Sequence, residues 1–102
     1  MFGLVRNMRE EDGKRRFLQY TSVLETTITY DGPATYPMMV ENAAKIRNMV
    51  RGNEVLLNQK EINLVLGMIT KAKVKAFMDG TPDSYQTFKT LDTISNDLVR
   101  LL

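Results

Sequence analysis

Residues 58–102, NQKEINLVLGMITKAKVKAFMDGTPDSYQTFKTLDTISNDLVRLL, decide the fold of this 102-residue chain. Asn58 is a preferred residue type at a helix N-cap, and Glu61 stands three positions later, as in a capping box. Gly80 predicts the end of that helix, because glycine accepts the left-handed conformation without steric cost. The first part of this stretch therefore predicts one helix over 58–78.

A second helix is expected to begin directly after this end. Thr81 offers a capping hydroxyl, and Pro82 stands at the first helical position, where its missing N–H costs nothing. Each of the helices 58–78 and 82–102 is about 30 Å long at about 1.5 Å per residue, and the chain must reverse between them. The sequence therefore predicts an antiparallel helical hairpin.

Apolar residues on both hairpin helices recur every three or four positions, which indicates one buried face on each helix. The first helix carries its stripe at Ile62, Val65, Leu66, Ile69, Ala72, Lys73, Ala76 and Phe77. The second carries its stripe at Tyr85, Phe88, Leu91, Ile94, Leu98 and Leu101. We expect both stripes to face the core, and the apolar end at Leu101 and Leu102 to be docked.

The middle of the chain predicts a third helix. Pro37 can open it, Gly52-Asn53 ends it, and its apolar face lies at Met39, Ala43, Ile46 and Val50. The run Val55-Leu56-Leu57 is then a short apolar link or a brief strand. Asp31-Gly32-Pro33 has the composition of a loop.

The N-terminal third fits two structures. Phe17, Tyr20, Leu24 and Ile28 have helical spacing, which favours a helix over about 14–26. Four threonines and other β-favouring residues between Thr21 and Tyr30 favour a strand over 23–30. Gly3 and Gly13 argue against one long helix from the start. We predict a single all-α domain over 1–102, a bundle of three to four helices, with an α+β fold carrying a small ribbon near 21–30 as the alternative.

Composition argues against most enzyme classes. The chain has no cysteine and no histidine, so it lacks thiolate zinc ligands, cysteine nucleophiles and the commonest general base. Its carboxylates do not show metal-binding spacing, and no glycine-rich phosphate loop occurs. We expect no enzyme activity, no metal and no cofactor. The absence of a secretory signal and of an apolar run long enough to span a membrane favours a cytoplasmic protein without membrane contact.

One side of the first hairpin helix, away from its core stripe, is unusually apolar. At 100° per residue, this side holds a set of apolar and basic residues that an intrachain core does not obviously need: Lys60, Leu64, Met68, Lys71, Lys75 and Met78. A helix that is apolar on more than one side is central in its bundle or meets another chain. The candidate partner-binding residues are Leu64, Met68, Lys71, Lys75 and Met78, unless the N-terminal helices cover them.

A basic segment near the N-terminus offers a second candidate site. It combines arginine, which binds phosphate, with nearby aromatic rings that can stack on bases. The candidate nucleic-acid-binding residues are Arg6, Arg9, Lys14, Arg15 and Arg16. Three acidic residues lie among them, and the whole chain has a net charge of only +2. A solvated, self-compensating face is the simpler interpretation.

The hairpin also resembles a group of known proteins. The run Leu57-Asn58-Gln59-Lys60-Glu61-Ile62, continued by an aromatic and leucine stripe to Leu102, is similar to small helical-hairpin proteins encoded by phages and prophages of Gram-positive bacteria. The resemblance covers residues 57–102 and implies an accessory or host-interaction role, without transferring functional residues. We expect a regulator or inhibitor that binds a host macromolecule and forms a homodimer. The alternative is a nucleic-acid-binding regulator.

Overall fold

The computed structural model describes residues 2–30 and 35–101, with side chains from residue 11 onward. It contains four helices: α1 (Phe2–Thr29), α2 (Thr35–Arg51), α3 (Gln59–Asp79) and α4 (Pro82–Leu101). The described residues form no strand, so the predicted all-α bundle is confirmed. The predicted loop at residues 31–33 lies outside the described residues.

Helices α3 and α4 form the predicted hairpin, and their caps have the predicted chemistry. The Asn58 side chain accepts a hydrogen bond from the Glu61 N–H at 2.8 Å, and the Glu61 carboxylate accepts one from the Asn58 N–H at 3.2 Å. Gly80 ends α3 with a φ of 66°, in the left-handed region. The Thr81 hydroxyl then accepts a hydrogen bond from the Ser84 N–H at 3.0 Å and starts α4.

Helix α1 is longer than the sequence predicts, and the strand alternative is wrong. It runs through the threonine-rich stretch because each of several hydroxyls donates a hydrogen bond to a carbonyl one turn earlier. Thr27 donates to the Leu24 carbonyl at 2.6 Å, and Thr26 donates to the Ser22 carbonyl at 3.0 Å. With those hydroxyls satisfied and Leu24 buried, helical periodicity prevails over β propensity.

Gly13 does not interrupt α1 but allows the chain to approach it closely. A Cβ atom at this position would stand 2.1 Å from the Glu54 carbonyl oxygen, in the segment that follows α2. The contact lies near the ion pair that the Arg16 side chain makes with Glu54 at 3.1 Å. Glycine is therefore needed here for packing, and its weak helix propensity is offset by tertiary contact.

Helix α2 begins at Thr35, two residues before the predicted opening at Pro37. Proline is tolerated there because the N–H groups of the first helical turn have no intrahelical partner. The helix ends as predicted at Gly52-Asn53, where Asn53 has a φ of 55°. The run Val55-Leu56-Leu57 is a link rather than a strand, with Val55 buried against the core.

Each helix runs opposite in direction to the helix before it in the chain. Helix α1 packs on α2 and α3, and α4 packs on the same two helices, which places α1 and α4 on opposite corners. Two contacts show that α1 and α3 run parallel: Lys14 in the first half of α1 pairs with Glu61 at the start of α3, and Lys75 contacts Ile28 at the other end. The molecule measures 53 × 25 × 19 Å.

The core contains most of the predicted apolar stripes, but not their ends. Its fully buried side chains come from all four helices and include Leu24, Met39, Ile46, Ile69, Leu91 and Ile94. Phe77 and Tyr85 were predicted to face this core and are instead 60% and 50% exposed, and Leu101, predicted to be docked, is also exposed. These residues lie at the edge of their stripes or at a helix end, where no neighbouring helix covers them. Leu102 lies outside the described residues.

Within the described residues, the helices are too short or too polar to cross a membrane.

Candidate interaction surfaces

The predicted partner-binding face of α3 is only partly covered by the rest of the chain. Leu64 and Met78 are 60% and 77% exposed, and Lys71 is exposed between them. Met68 is half-buried and packs against the core. Two apolar side chains of the predicted set therefore remain open to solvent, and the described part of the N-terminal half does not seal this face.

Lys75 differs from the other predicted residues because it acts within the chain. Its ammonium donates hydrogen bonds to the carbonyls of Thr27, Ile28 and Tyr30, at 3.2 Å and 3.1 Å for the first two. These carbonyls end α1, where backbone acceptors lack helical partners and a positive charge is favourable. Lys75 thus joins α3 to the C-terminal end of α1, whereas the sequence predicted that it would contact a partner.

The predicted nucleic-acid-binding residues do not form an open basic surface where their side chains are described. Arg16 pairs with Asp12 and Glu54 at 3.1 Å each, and hydrogen bonding to Glu54 raises the pKa of Arg16 above its ordinary value. Lys14 pairs with Glu61. Arg15 is exposed, and the side chains of Arg6 and Arg9 lie outside the described residues.

Three aromatic residues meet at the hairpin end of the bundle, and we call them the tip cluster: Phe77, Tyr85 and Phe88. The ring centres of Phe77 and Phe88 are 5.4 Å apart with tilted planes, and those of Tyr85 and Phe88 are 6.2 Å apart and stacked. Both separations are typical of favourable ring pairs. The cluster is a solvent-facing aromatic surface on one side of the α3–α4 hairpin.

Two lysines lie over the rings of the tip cluster. The Lys73 ammonium is 5.8 Å from the Phe88 ring centre and pairs with Asp92 at 2.7 Å. The Lys89 ammonium is 5.2 Å from the Tyr85 ring centre and makes no ion pair within the described part of the chain. The surface is therefore apolar at its centre, with one uncompensated positive charge at its edge.

The helical positions of Phe77 and Tyr85 distinguish them from the centres of the apolar stripes to which the sequence assigned them. At 100° per residue, Phe77 lies about 80° from the centre of the α3 stripe at Ile69. Tyr85 lies about 120° from Leu91, the centre of the α4 stripe. Angles this large place both rings at the border of a buried face, where burial depends on whether a neighbouring helix covers them.

A stripe on α1 was also missed. Glu11, Leu18 and Glu25 follow each other at intervals of seven residues, and all three are exposed. Seven residues are almost two full turns, so the three side chains lie along one line of the helix. Neither glutamate makes an ion pair within residues 11–30 and 35–101.

The α3 N-terminus combines capping and ion pairing at one carboxylate. Hydrogen bonds from the Lys14 ammonium and from the Asn58 backbone N–H lower the pKa of Glu61. The negative charge also lies in the first turn of α3, where the helix dipole favours it. Glu61 is thus a structural carboxylate that ties α1 to the start of α3.

An open groove of about 1040 Å³ lies between the N-terminal ends of α2 and α4. Its lining includes Tyr36, Asp79, Asp83 and Thr87. Among the described residues, the Tyr36 hydroxyl is buried without a hydrogen-bond partner.

The described residues contain no group of three or more carboxylates that could hold a metal ion. Comparison with known proteins found no matching family model, no significantly similar curated protein and no significantly similar solved structure.

Proposed function

We propose that this chain is a non-enzymatic interaction protein of the cytoplasm, a phage-type regulator or inhibitor that binds a host protein and self-associates. The observation that carries the proposal is the tip cluster, in which Phe77 and Tyr85 are exposed to solvent beside the half-buried Phe88. Aromatic residues are enriched at the centres of protein interfaces, where a few anchoring side chains contribute most of the binding energy.

The cluster indicates the chemistry of the partner. Phe77 and Tyr85 offer flat apolar area at little cost in side-chain entropy, because each has only two rotatable side-chain bonds. Lys89 at the edge favours an acidic neighbour and would accelerate association more than it strengthens it. A partner segment with apolar residues and a carboxylate fits this surface.

Protein binding is favoured over nucleic-acid binding by the charges of α1. Two of the predicted phosphate-binding cations, Lys14 and Arg16, already have carboxylate partners in the chain. A phosphate would have to displace those partners, which removes much of its electrostatic gain. The regulator role remains a proposal that the resemblance to phage hairpin proteins supports.

The test is affinity capture from host lysate with three baits: the unchanged chain, the Phe77→Ser/Tyr85→Ser variant, and the Leu56→Ser control. Leu56 is exposed in the α2–α3 link, away from the tip, so the control loses apolar area elsewhere. We expect one protein to be retained by the first and third baits and lost with the tip variant. Its affinity for the purified chain should fall at least tenfold with the tip variant, measured by calorimetry.

Two outcomes would overturn the proposal. One is equal retention of every captured protein by the unchanged chain and the tip variant. The other is strong binding of duplex DNA or RNA that weakens steeply with salt and disappears on Arg15→Glu, which would establish the nucleic-acid alternative. Circular dichroism of each bait confirms that the substitutions leave the helices intact.

A further inference from the structure

The outer face formed by α1 and α3 carries two stripes of opposite charge. We define the α1–α3 face by Glu11, Leu18 and Glu25 on α1 and by Lys60, Leu64 and Lys71 on α3. All six side chains are exposed. In each stripe an apolar residue lies between two charged residues. The charged residues are acidic on α1 and basic on α3. None of the four charged residues forms an ion pair within the described part of the chain.

The contacts between α1 and α3 show which residues lie at the same height. Lys14 and Glu61 are 47 residues apart, and Lys75 lies 45 to 48 residues after the three α1 carbonyls that it contacts. Because the two helices are parallel, a residue of α1 lies near the level of the residue about 47 positions later on α3. Leu18 is then near the level of Leu64, and Glu25 is near the level of Lys71, each within about one helical turn, or about 5 Å.

We propose that this face binds a second copy of the chain about a two-fold axis parallel to the helices. Such an axis places α1 of one copy against α3 of the other, in the same direction and at the same height. Leu18 then faces Leu64 of the second copy, and Glu25 faces Lys71 of the second copy. Glu11 lies two residues from the level of Lys60, and every pair occurs twice. The inference rests on the self-association in the proposed function.

The other way to pair these faces is electrostatically unfavourable. A two-fold axis across the helices places α3 against α3 and α1 against α1. Lys60 and Lys71 of one copy would then share an interface with the same lysines of the other, while the glutamates of the two α1 helices would meet likewise. Like charges brought together at an interface oppose association, so the parallel arrangement is preferred.

The size of the face predicts a weak dimer. From Lys60 to Met78, α3 spans about 28 Å, and two adjacent helices are about 20 Å wide. The face therefore covers about 550 Å² per copy, which is at the lower limit of specific interfaces. We expect a concentration-dependent equilibrium between monomer and dimer, with half-dissociation at micromolar concentration or above.

The experiment uses two charge reversals and their mixture. In a dimer of either variant, Glu25→Lys or Lys71→Glu, positions 25 and 71 of opposite copies carry like charges at both symmetry-related contacts. Each variant alone should therefore dimerise at least tenfold more weakly than the unchanged chain. In an equimolar mixture, the new cation of the first variant meets the new anion of the second, while the native pair forms on the other side of the axis. The mixture should therefore recover the heterodimer, as measured by sedimentation equilibrium at about 50 mM salt, where screening is moderate.

A control separates this geometry from a general attraction between variants of different net charge. Lys89→Glu changes the charge as Lys71→Glu does but lies outside the α1–α3 face, so its mixture with Glu25→Lys should contain no enriched heterodimer. The inference is overturned if the unchanged chain stays monomeric at millimolar concentration, or if it dimerises and the Glu25→Lys and Lys71→Glu mixture stays dissociated. Capture of the host protein by the tip cluster is measured separately, so host binding and dimerisation can each fail without the other.

Discussion

Two glycines in helix interiors have opposite surroundings, and their sequence context does not distinguish them. Gly13 in α1 is buried beneath the Glu54 carbonyl, whereas Gly67 in α3 is exposed, with open space where a side chain would begin. Helix propensity alone assigns both the same weakness. Tertiary packing requires glycine at position 13, whereas Gly67 only lowers the stability of α3.

We expect substitution by alanine to have opposite effects at the two positions. Gly67→Ala should raise the free energy of unfolding by about 0.5–1 kcal/mol, because alanine restricts the unfolded chain and fits the helix. Gly13→Ala should lower it by about 1–3 kcal/mol, because its Cβ overlaps the Glu54 carbonyl. Urea denaturation measures the free energy of unfolding of both variants. Stabilisation by Gly13→Ala would contradict the close packing of α1 against the segment that contains Glu54.

At the scale of elements, the start of α3 joins local and distant interactions. The Asn58 cap is local and could be recognised from residues three apart. The Lys14 contact with Glu61 is not local, since it requires α1 to lie parallel to α3. Both interactions favour the ionised form of the same carboxylate and lower its pKa, so protonation weakens the cap and the α1–α3 contact together.

This coupling predicts an acid-sensitive contribution to stability. The pKa of Glu61 is lower in the folded chain than its ordinary value of 4.5. The unfolded chain therefore takes up the proton first as the pH falls, so the contribution is complete well above about pH 4.5 and is lost below it. Glu61→Gln should remove this component of the pH dependence of unfolding, measured by urea denaturation from neutral to acidic pH. An unchanged acid limb in that variant would contradict the assignment.

For the whole molecule, the four-helix arrangement decides which apolar residues are core and which are surface. Leu91 lies at the centre of its stripe and is fully buried, whereas Phe77 lies at the border of its stripe and is exposed. The two residues have similar hydrophobicity, and both continue the three- and four-residue spacing of their stripes. Their different environments result from the positions of α1 and α2, which cover the centre of the hairpin and leave its tip open.

We expect these environments to separate the two residues in stability measurements. Leu91→Ala should lower the free energy of unfolding by about 3 kcal/mol, because it removes buried methyl groups and leaves a cavity. Phe77→Ala should cost less than about 1 kcal/mol, since the side chain is 60% exposed and its ring pair with Phe88 contributes little. Thermal denaturation of the two variants at equal concentration provides the comparison. A large loss with Phe77→Ala would show that the tip cluster is core rather than a binding surface.

The sequence by itself determined the local structure of this chain: the Asn58 capping box, the Gly80 end, the Thr81 start and the apolar stripe centred on Ile69. These features depend on residues a few positions apart, and their chemistry acts within one or two helical turns. They predict the helical hairpin, whereas the structure decided between the all-α fold and the α+β alternative near residues 21–30.

Only the tertiary structure decided the length of α1, the role of Lys75 and the exposure of Phe77. Each depends on a neighbour more than ten positions away: the Glu54 carbonyl over Gly13, the end of α1 beside Lys75, and the limit of the cover that α1 and α2 provide. The same holds for the opposite charges of the α1–α3 face, which become complementary only when two helices lie parallel at a defined height. Periodicity identifies the faces of a helix, but burial and charge complementarity depend on what packs beside each face.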